Sequence, residues 1–146
     1  MPASTYNINA DQGSSFDLYL EYQTSGGTAI DLSMCEARMQ VRPSYTSSNI
    51  VLNFTGNTAY SALTGGGSTG YYASGTTGVV GTGGITLNAS TAGVVGTTGG
   101  IYIDADAVAM AFTLAGEHRY DLELITGTTV SRLIEGEFKI NPEVTK

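Results

Sequence analysis

Apolar and polar residues alternate in several short stretches of this chain. The clearest alternation covers residues 16–22, and others cover residues 35–42 and 50–54. Because successive side chains of a strand point to opposite sides, each stretch predicts a strand with one buried and one exposed face. The residues predicted to face the core are Phe16, Leu18, Leu20, Tyr22, Cys35, Ala37, Met39, Val41, Ile50, Leu52 and Phe54.

The last part of the chain predicts a β-hairpin. Residues 119–125 and 130–140 alternate in the same way, and the short link at 126–129 contains Gly127, a residue suited to a tight turn. Tyr120, Leu122 and Leu124 are predicted core residues. The predicted outward carboxylates, which can pair with Arg38 and Arg42 of a facing strand, are Asp121, Glu123, Glu135 and Glu137.

The middle of the chain differs from both ends. Residues 43–103 contain no Asp, Glu, Lys or Arg and hold 14 of the 20 glycines, and the stretch 78–89 recurs at 93–105. We predict that residues 57–103 form a Gly/Thr-rich insertion, folded as a β-hairpin or arm. A flexible linker is the alternative, but the apolar strand formers favour an ordered arm. Such an uncharged arm would suit contacts with a neighbouring subunit, and its predicted contact residues are Tyr71, Tyr72, Val79, Val80, Val94 and Val95.

One short helix is predicted at residues 104–111, where Asp104 precedes an alanine-rich stretch and can cap it. A short first strand is predicted at residues 6–10. With 146 residues, the chain is expected to form one all-β domain that contains the 57–103 insertion.

Charge and composition argue against several classes of function. The net charge is −7, and the six cations are scattered along the sequence, which argues against a nucleic-acid groove. Cys35 and His118 are the only cysteine and histidine, so the residues for a nucleophilic or metal-dependent active site are not clustered. We therefore expect no enzyme activity, no cofactor and no bound metal.

The chain lacks the patterns of membrane insertion and secretion. Its first residues are polar, without the apolar stretch of a signal peptide, and no apolar run approaches the roughly 18 residues of a spanning helix. We expect a protein made in a cytoplasm, with no membrane partner.

Six motifs follow one another along residues 6–54 and 104–145. They are Asp11-Gln12-Gly13-Ser14-Ser15-Phe16, Ile30-Asp31-Leu32-Ser33, Ala37-Arg38-Met39-Gln40-Val41-Arg42-Pro43, Tyr120-Asp121-Leu122-Glu123-Leu124, Arg132-Leu133-Ile134-Glu135-Gly136 and Pro142-Glu143-Val144-Thr145. In this order they resemble a family of small virion proteins of tailed bacteriophages and prophages. The resemblance is strongest to the β-sandwich domain at the N-terminus of lactococcal-type baseplate upper proteins. It implies an immunoglobulin-like antiparallel β-sandwich that mediates assembly without catalysis.

The resemblance implies a virion structural protein, with a tail or baseplate component as the first expectation. Its partners would be other copies of itself, as a homo-oligomer, and other virion proteins, and its location would be the virion after synthesis in a bacterial host. The alternatives are a capsid decoration protein, a head–tail connector piece, or a host-glycan-binding module that uses Tyr71 and Tyr72. Arg38 and Arg42 are the predicted contact residues outside the insertion.

Overall fold

A computed structural model describes residues 4–32, 35–47, 52–56, 83–90, 98–111 and 115–144. Within these ranges the chain forms nine strands and one short helix. The strands are β1 (Ser4–Thr5), β2 (Ile8–Asp11), β3 (Phe16–Glu21), β4 (Glu36–Arg42), β5 (Leu52–Gly56), β6 (Gly83–Leu87), β7 (Gly100–Ala105), β8 (Gly116–Thr126) and β9 (Thr129–Asn141). The helix, α1, is Ala107–Ala111.

The strands lie in two sheets, which confirms the all-β prediction. The first sheet has the order β1-β9-β8-β4-β5, and β2 also pairs with β9. The second sheet has the order β3-β7-β6. Within the described residues, no helix is long and apolar enough to cross a membrane.

One hydrophobic core joins the two sheets. Phe16 of the second sheet packs against Phe54 and Phe138 of the first, with ring centroids 6.3 Å and 5.4 Å apart. The inward residues predicted on β4 and β8 are buried, and Leu18, Leu20 and Tyr22 are partly buried against the core. The alternation therefore identified the correct faces of these strands. Cys35 is buried at the edge of this core, as its pattern predicted.

The predicted hairpin of β8 and β9 is confirmed. Thr126 pairs with Thr129 across the turn, and the register continues to Gly116 opposite Ile140. Leu122 faces Ile134 but Glu123 faces Arg132, so Leu133 is an extra residue in β9. This β-bulge bends the ladder locally, which the residue pattern did not reveal.

The prediction of a purely antiparallel arrangement is wrong at one edge. β1 and β2 both run parallel to β9, with Ser4 opposite Ile134 and Ile8 opposite Phe138. The predicted first strand at 6–10 corresponds to β2, which begins two residues later, and β1 is an additional short strand before it. Strand direction cannot be read from alternation, because a parallel and an antiparallel strand have the same period of two.

The hairpin predicted in the insertion is present in its described part, where β6 and β7 pair antiparallel, but it is not an added arm. β6 and β7 belong to the second sheet, and Ile85, Ile101 and Ile103 are buried in the shared core. The end of β6 also packs closely on the start of β7, since a Cβ on Gly100 would lie 1.7 Å from the carbonyl oxygen of Ala89. Residues 57–82 and 91–97 lie outside the described residues.

The predicted helix is shorter than expected. Asp104 lies in β7, and α1 begins only at Ala107. The Asp106 carbonyl accepts the backbone bond from Met110, so Asp106, and not Asp104, precedes the helix. Pairing of β7 with β3 holds Asp104 in extended conformation, and this tertiary pairing overrides the local helix signal.

A buried asparagine connects the loops at one end of the second sheet. Asn88 follows β6 with a left-handed backbone (φ 54°), a conformation that asparagine tolerates better than most residues. Its Oδ1 accepts bonds from the amides of Leu32 (3.0 Å) and Gly99 (3.1 Å). Its Nδ2 donates to Asp31 at 2.9 Å. The side chain thereby joins three separate chain segments.

Candidate functional site: two charged sheet faces

The outer face of the first sheet carries a network of ion pairs. Arg38 Nε lies 2.7 Å from Glu123 Oε1, across the β4–β8 ladder. Arg132 lies 3.3 Å from Asp121 and 3.7 Å from Glu135, and Arg119 lies 3.7 Å from Glu137. The predicted pairing with outward carboxylates is confirmed for Arg38, and it is wrong for Arg42, which lies opposite Arg119 in the β4–β8 ladder. These pairs are half-exposed, so each contributes only roughly 0–1 kcal/mol, but together they order the surface.

The carboxylates of this network perturb one another. Burial raises the pKa of Asp121 above its usual range, and Glu123 raises it further, while Arg132 and Arg38 act in the opposite direction. The positive charges of its arginine partners therefore favour the ionised form of Asp121 and oppose the effect of burial.

A shallow depression of about 280 Å³ lies on this face, between β4, β8 and the loop after β4. Arg42 and Arg119 occupy directly opposite positions of the β4–β8 ladder. Like charges at opposite positions repel, so this pair is unfavourable in the isolated chain. We call this surface, defined by Arg38, Arg42 and Arg119 with Tyr45, the arginine face.

Neutral groups hold Arg42 in place. Its guanidinium donates two bonds to Gln40 Oε1 (3.1 and 2.6 Å) and one to the Ser47 carbonyl (2.8 Å). Among the described residues, Arg42 forms no ion pair. The Arg119 guanidinium lies 5.9 Å from the ring centre of Tyr45, which is 66% exposed. An ordered positive charge and an exposed aromatic ring thus lie side by side.

The outer face of the second sheet carries negative charge. Asp17 and Asp104 are directly opposite each other on β3 and β7, and β3, β6 and β7 contain no Lys or Arg. Burial raises the pKa of Asp104, and the negative charges of Asp17 and Asp106 raise it further. Glu21 extends the same row along β3. We call the surface formed by Asp17, Glu21, Asp104 and Asp106 the acidic face.

Tyrosines order the acidic face. Tyr102 donates a hydrogen bond to Asp17 Oδ2 at 3.2 Å, and Tyr19 donates one to Glu21 Oε1 at 3.1 Å. Tyr19 and Tyr102 are themselves opposite each other in the ladder. The carboxylates are therefore held by hydroxyl donors, without a cation from these strands.

A second depression, of about 550 Å³, lies between the two sheets at one end of the core. Its apolar lining comes from Leu20 and Tyr22 on one side and from Leu133 and Ile134 on the other. These side chains are the partly buried rim of the core.

The structure brings together some predicted contact residues and leaves others undescribed. Arg38 and Arg42 lie on the arginine face, with Arg119 beside them, so these cations are not scattered in space as the sequence indicated. Arg119 and the Asp17–Asp104 pair were missed, because only the strand register shows which charges are opposite. The predicted contacts outside the described residues are Tyr71, Tyr72, Val79, Val80, Val94 and Val95.

Neither face has the arrangement of a metal centre. In the described ranges, no group of three or more His, Cys, Asp or Glu residues could hold a metal ion. The two faces instead offer fixed charges and aromatic rings on broad strand surfaces. Comparison with models of known protein families and with curated proteins found no match to this chain.

Proposed function

We propose that the protein is a non-enzymatic structural protein of a bacteriophage virion, in the tail or baseplate, and that it contacts neighbouring subunits through its sheet faces. The motifs that resemble baseplate upper proteins support this proposal, because they lie in the folded part of the chain. Asp11 to Phe16 form the turn between the two sheets, and the motif at 37–43 includes most of β4. The motifs at 120–124 and 132–136 lie in the β8–β9 hairpin.

We further propose that the two sheets form an immunoglobulin-like sandwich. Two sheets around one core, with mainly antiparallel pairing and short strands, support this assignment. The helix α1 lies in the connection between the second sheet and the final hairpin.

The observation that carries the assembly role is the arginine face. It is an ordered surface in which Arg38 and Arg119 are tied to carboxylates, Arg42 is held by neutral groups, and Tyr45 is exposed. Arginine and tyrosine are enriched at protein–protein interfaces, where they contribute most of the binding energy. A broad strand surface with a shallow depression also suits a protein partner better than a small substrate, which usually binds in a deep apolar pocket.

Mass spectrometry of purified particles from a phage that encodes this chain tests the proposal. The protein should co-purify with particles through a density gradient and remain after washing with salt. A host protein of similar abundance in the lysate serves as the control for carry-over. If the protein is abundant in the lysate but absent from washed particles, the virion assignment is wrong.

Copy number separates the tail from the capsid. About six to eighteen copies per particle, measured against the major capsid protein, would fit a tail or baseplate ring of closed symmetry. Hundreds of copies would instead support the alternative of a capsid decoration protein. Immunogold labelling of intact particles would locate the protein independently of the count.

A further inference from the structure

Each outer face of the molecule carries one pair of like charges at opposite ladder positions, positive on the first sheet and negative on the second. The sheets share one core through their inner faces, so the arginine face and the acidic face lie on opposite sides of the protein. On the first, three arginines surround the depression with Asp121 and Glu123, and Arg119 is also paired with Glu137, so the positive charge is concentrated at Arg42 and does not extend over the whole face. On the second, Asp17, Glu21, Asp104 and Asp106 are not offset by any Lys or Arg of β3, β6 or β7.

Each face also contains a repulsive pair at opposite ladder positions. Arg42 faces Arg119 on the first sheet, and Asp17 faces Asp104 on the second. Neither pair is favourable in an isolated chain, since like charges directly opposite destabilise a sheet. Opposite charges brought to either pair would relieve the repulsion and form bidentate arginine–carboxylate bonds.

We propose that copies of this chain associate head to tail, with the Asp17–Asp104 pair of one copy bound at the Arg42–Arg119 pair of the next. A second copy is the chosen partner because both halves of the contact are present on the same molecule and match in charge. The inference rests on the proposed assembly function and names the partner of the arginine face.

The contact joins different surfaces of the two copies, so it is heterologous. A heterologous contact generates a closed ring if the rotation between copies closes, and an open filament if it does not. The exposed Tyr45 beside Arg119, and Tyr19 and Tyr102 between the carboxylates, would supply aromatic contact area at the centre. Because the contact depends on charge, it should weaken as salt shortens the reach of electrostatic attraction to a few ångströms.

A charge-swap experiment tests this contact in the purified full chain. One variant, Arg42→Glu with Arg119→Glu, makes both faces acidic. A second, Asp17→Lys with Asp104→Lys, makes the ladder pair at both contact sites basic. Sedimentation velocity at low salt should show self-association of the wild type, weakened at least about tenfold in each variant. An equimolar mixture of the two variants should associate again.

Recovery in the mixture cannot come from overall attraction between the variants. The wild-type net charge is −7, and each double substitution changes it by four units, so both variants remain negative.

Lys139→Glu is the matched control, because Lys139 is exposed on the same sheet but lies outside the depression. It should leave the association of the wild type unchanged. Circular dichroism checks that each variant is folded. If a charge-reversal variant does not fold, the corresponding neutral variant, Arg42→Gln/Arg119→Gln or Asp17→Asn/Asp104→Asn, is used in its place.

Three results would overturn the inference. The first is a wild type that stays monomeric at low salt and millimolar concentration. The second is association that survives in either variant, and the third is a mixture that does not recover. A chain found in particles that does not self-associate defeats only this inference. A chain that self-associates but is absent from particles defeats only the virion assignment.

Discussion

At the scale of single residues, the strand register decides what each charge does. Arg38 and Arg42 are four residues apart on the same face of β4, yet Arg38 meets Glu123 at 2.7 Å and Arg42 meets Arg119. One position is a stabilising cross-strand pair and the other is a repulsive one. The second sheet also has a repulsive position, where Asp17 lies opposite Asp104. Neither like-charged pair contributes to the stability of the isolated chain.

Replacement of Asp104 should stabilise the monomer in a pH-dependent way. Because its pKa is raised in the folded chain above the ordinary 3.8, folding is favoured by its protonated form. The associated stability is complete below the unfolded pKa and is lost as pH rises through the folded pKa. At pH 7 the charged Asp104 therefore costs stability, and Asp104→Asn should raise the free energy of unfolding by at most about 0.5 kcal/mol, given its partial exposure.

Thermal unfolding of dilute protein at pH 7 and pH 3 measures this effect. The gain from Asp104→Asn should be present at pH 7 and absent at pH 3. Asp11→Asn serves as the control. Asp11 is exposed and lies opposite Asn141, which donates a hydrogen bond to it at 3.0 Å, whereas Asp104 lies opposite another carboxylate. An equal gain at both pH values would contradict the electrostatic explanation.

Asn88→Ala should be strongly destabilising. The substitution removes the acceptor for the buried amides of Leu32 and Gly99, and unsatisfied buried donors cost about 1–3 kcal/mol each. We expect a loss of about 2–4 kcal/mol in urea unfolding. Asn9→Ala removes a hydrogen bond at an exposed position, to Asn141, and should cost less than about 1 kcal/mol. Equal losses for the two variants would show that Asn88 does not hold the loops together.

At the scale of elements, the glycine-rich middle of the chain is part of the scaffold. β6 and β7 complete the second sheet, and Ile85, Leu87, Ile101 and Ile103 contribute to its buried face. A deletion that includes residues 83–100 would therefore remove core strands together with any assembly contact. Tests of the undescribed residues 57–82 must leave β6 in place.

Ile85→Ala tests this role of β6. Ile85 is fully buried, so the truncation should lower the free energy of unfolding by about 2–4 kcal/mol. Val130→Ala is the control, because Val130 is 50% exposed and its truncation should cost less than about 0.5 kcal/mol. Urea unfolding measures both. If Ile85→Ala left the free energy of unfolding nearly unchanged, β6 would be an added arm and not a core strand.

At the scale of the whole molecule, the start and the end of the chain are joined. β1 and β2 lie parallel along β9, and the Tyr120 hydroxyl donates to the Tyr6 carbonyl between them. Burial raises the pKa of this hydroxyl far above its usual range, so it remains a donor at every physiological pH. Gly136 allows the backbone of Tyr6 to lie this close to β9, since a Cβ at residue 136 would lie 2.6 Å from the Tyr6 carbonyl oxygen.

Gly136→Ala should loosen the first strands from the rest of the fold. Overpacking against a fixed backbone typically costs about 1–3 kcal/mol. Hydrogen exchange should speed up at the amides of Tyr6 and Gln12, which donate to β9 carbonyls at 2.9 Å. Gly26→Ala is the control, because the nearest atom to its added Cβ would be 3.9 Å away. Unchanged protection at both amides would contradict this role of Gly136.

Local alternation of apolar and polar residues was sufficient to predict the strands whose faces differ in polarity. Residues 16–22, 35–42 and the hairpin at 119–140 were placed correctly, together with their buried faces, because local alternation has a direct physical cause in burial. The ion pair of Arg38 with an outward carboxylate was also predicted, since opposite charges stood on strands expected to be neighbours, but the expected pairing of Arg42 was not found.

Local patterns did not reveal which strands are neighbours or in what register they pair, and the folded chain shows both. The tertiary structure placed β1 and β2 parallel to β9, drew β6 and β7 into the core, and extended β7 through Asp104. It also gathered Arg42 and Arg119, residues far apart in sequence, opposite each other. These outcomes follow from long-range pairing and shared burial between segments, which no local pattern of residues encodes.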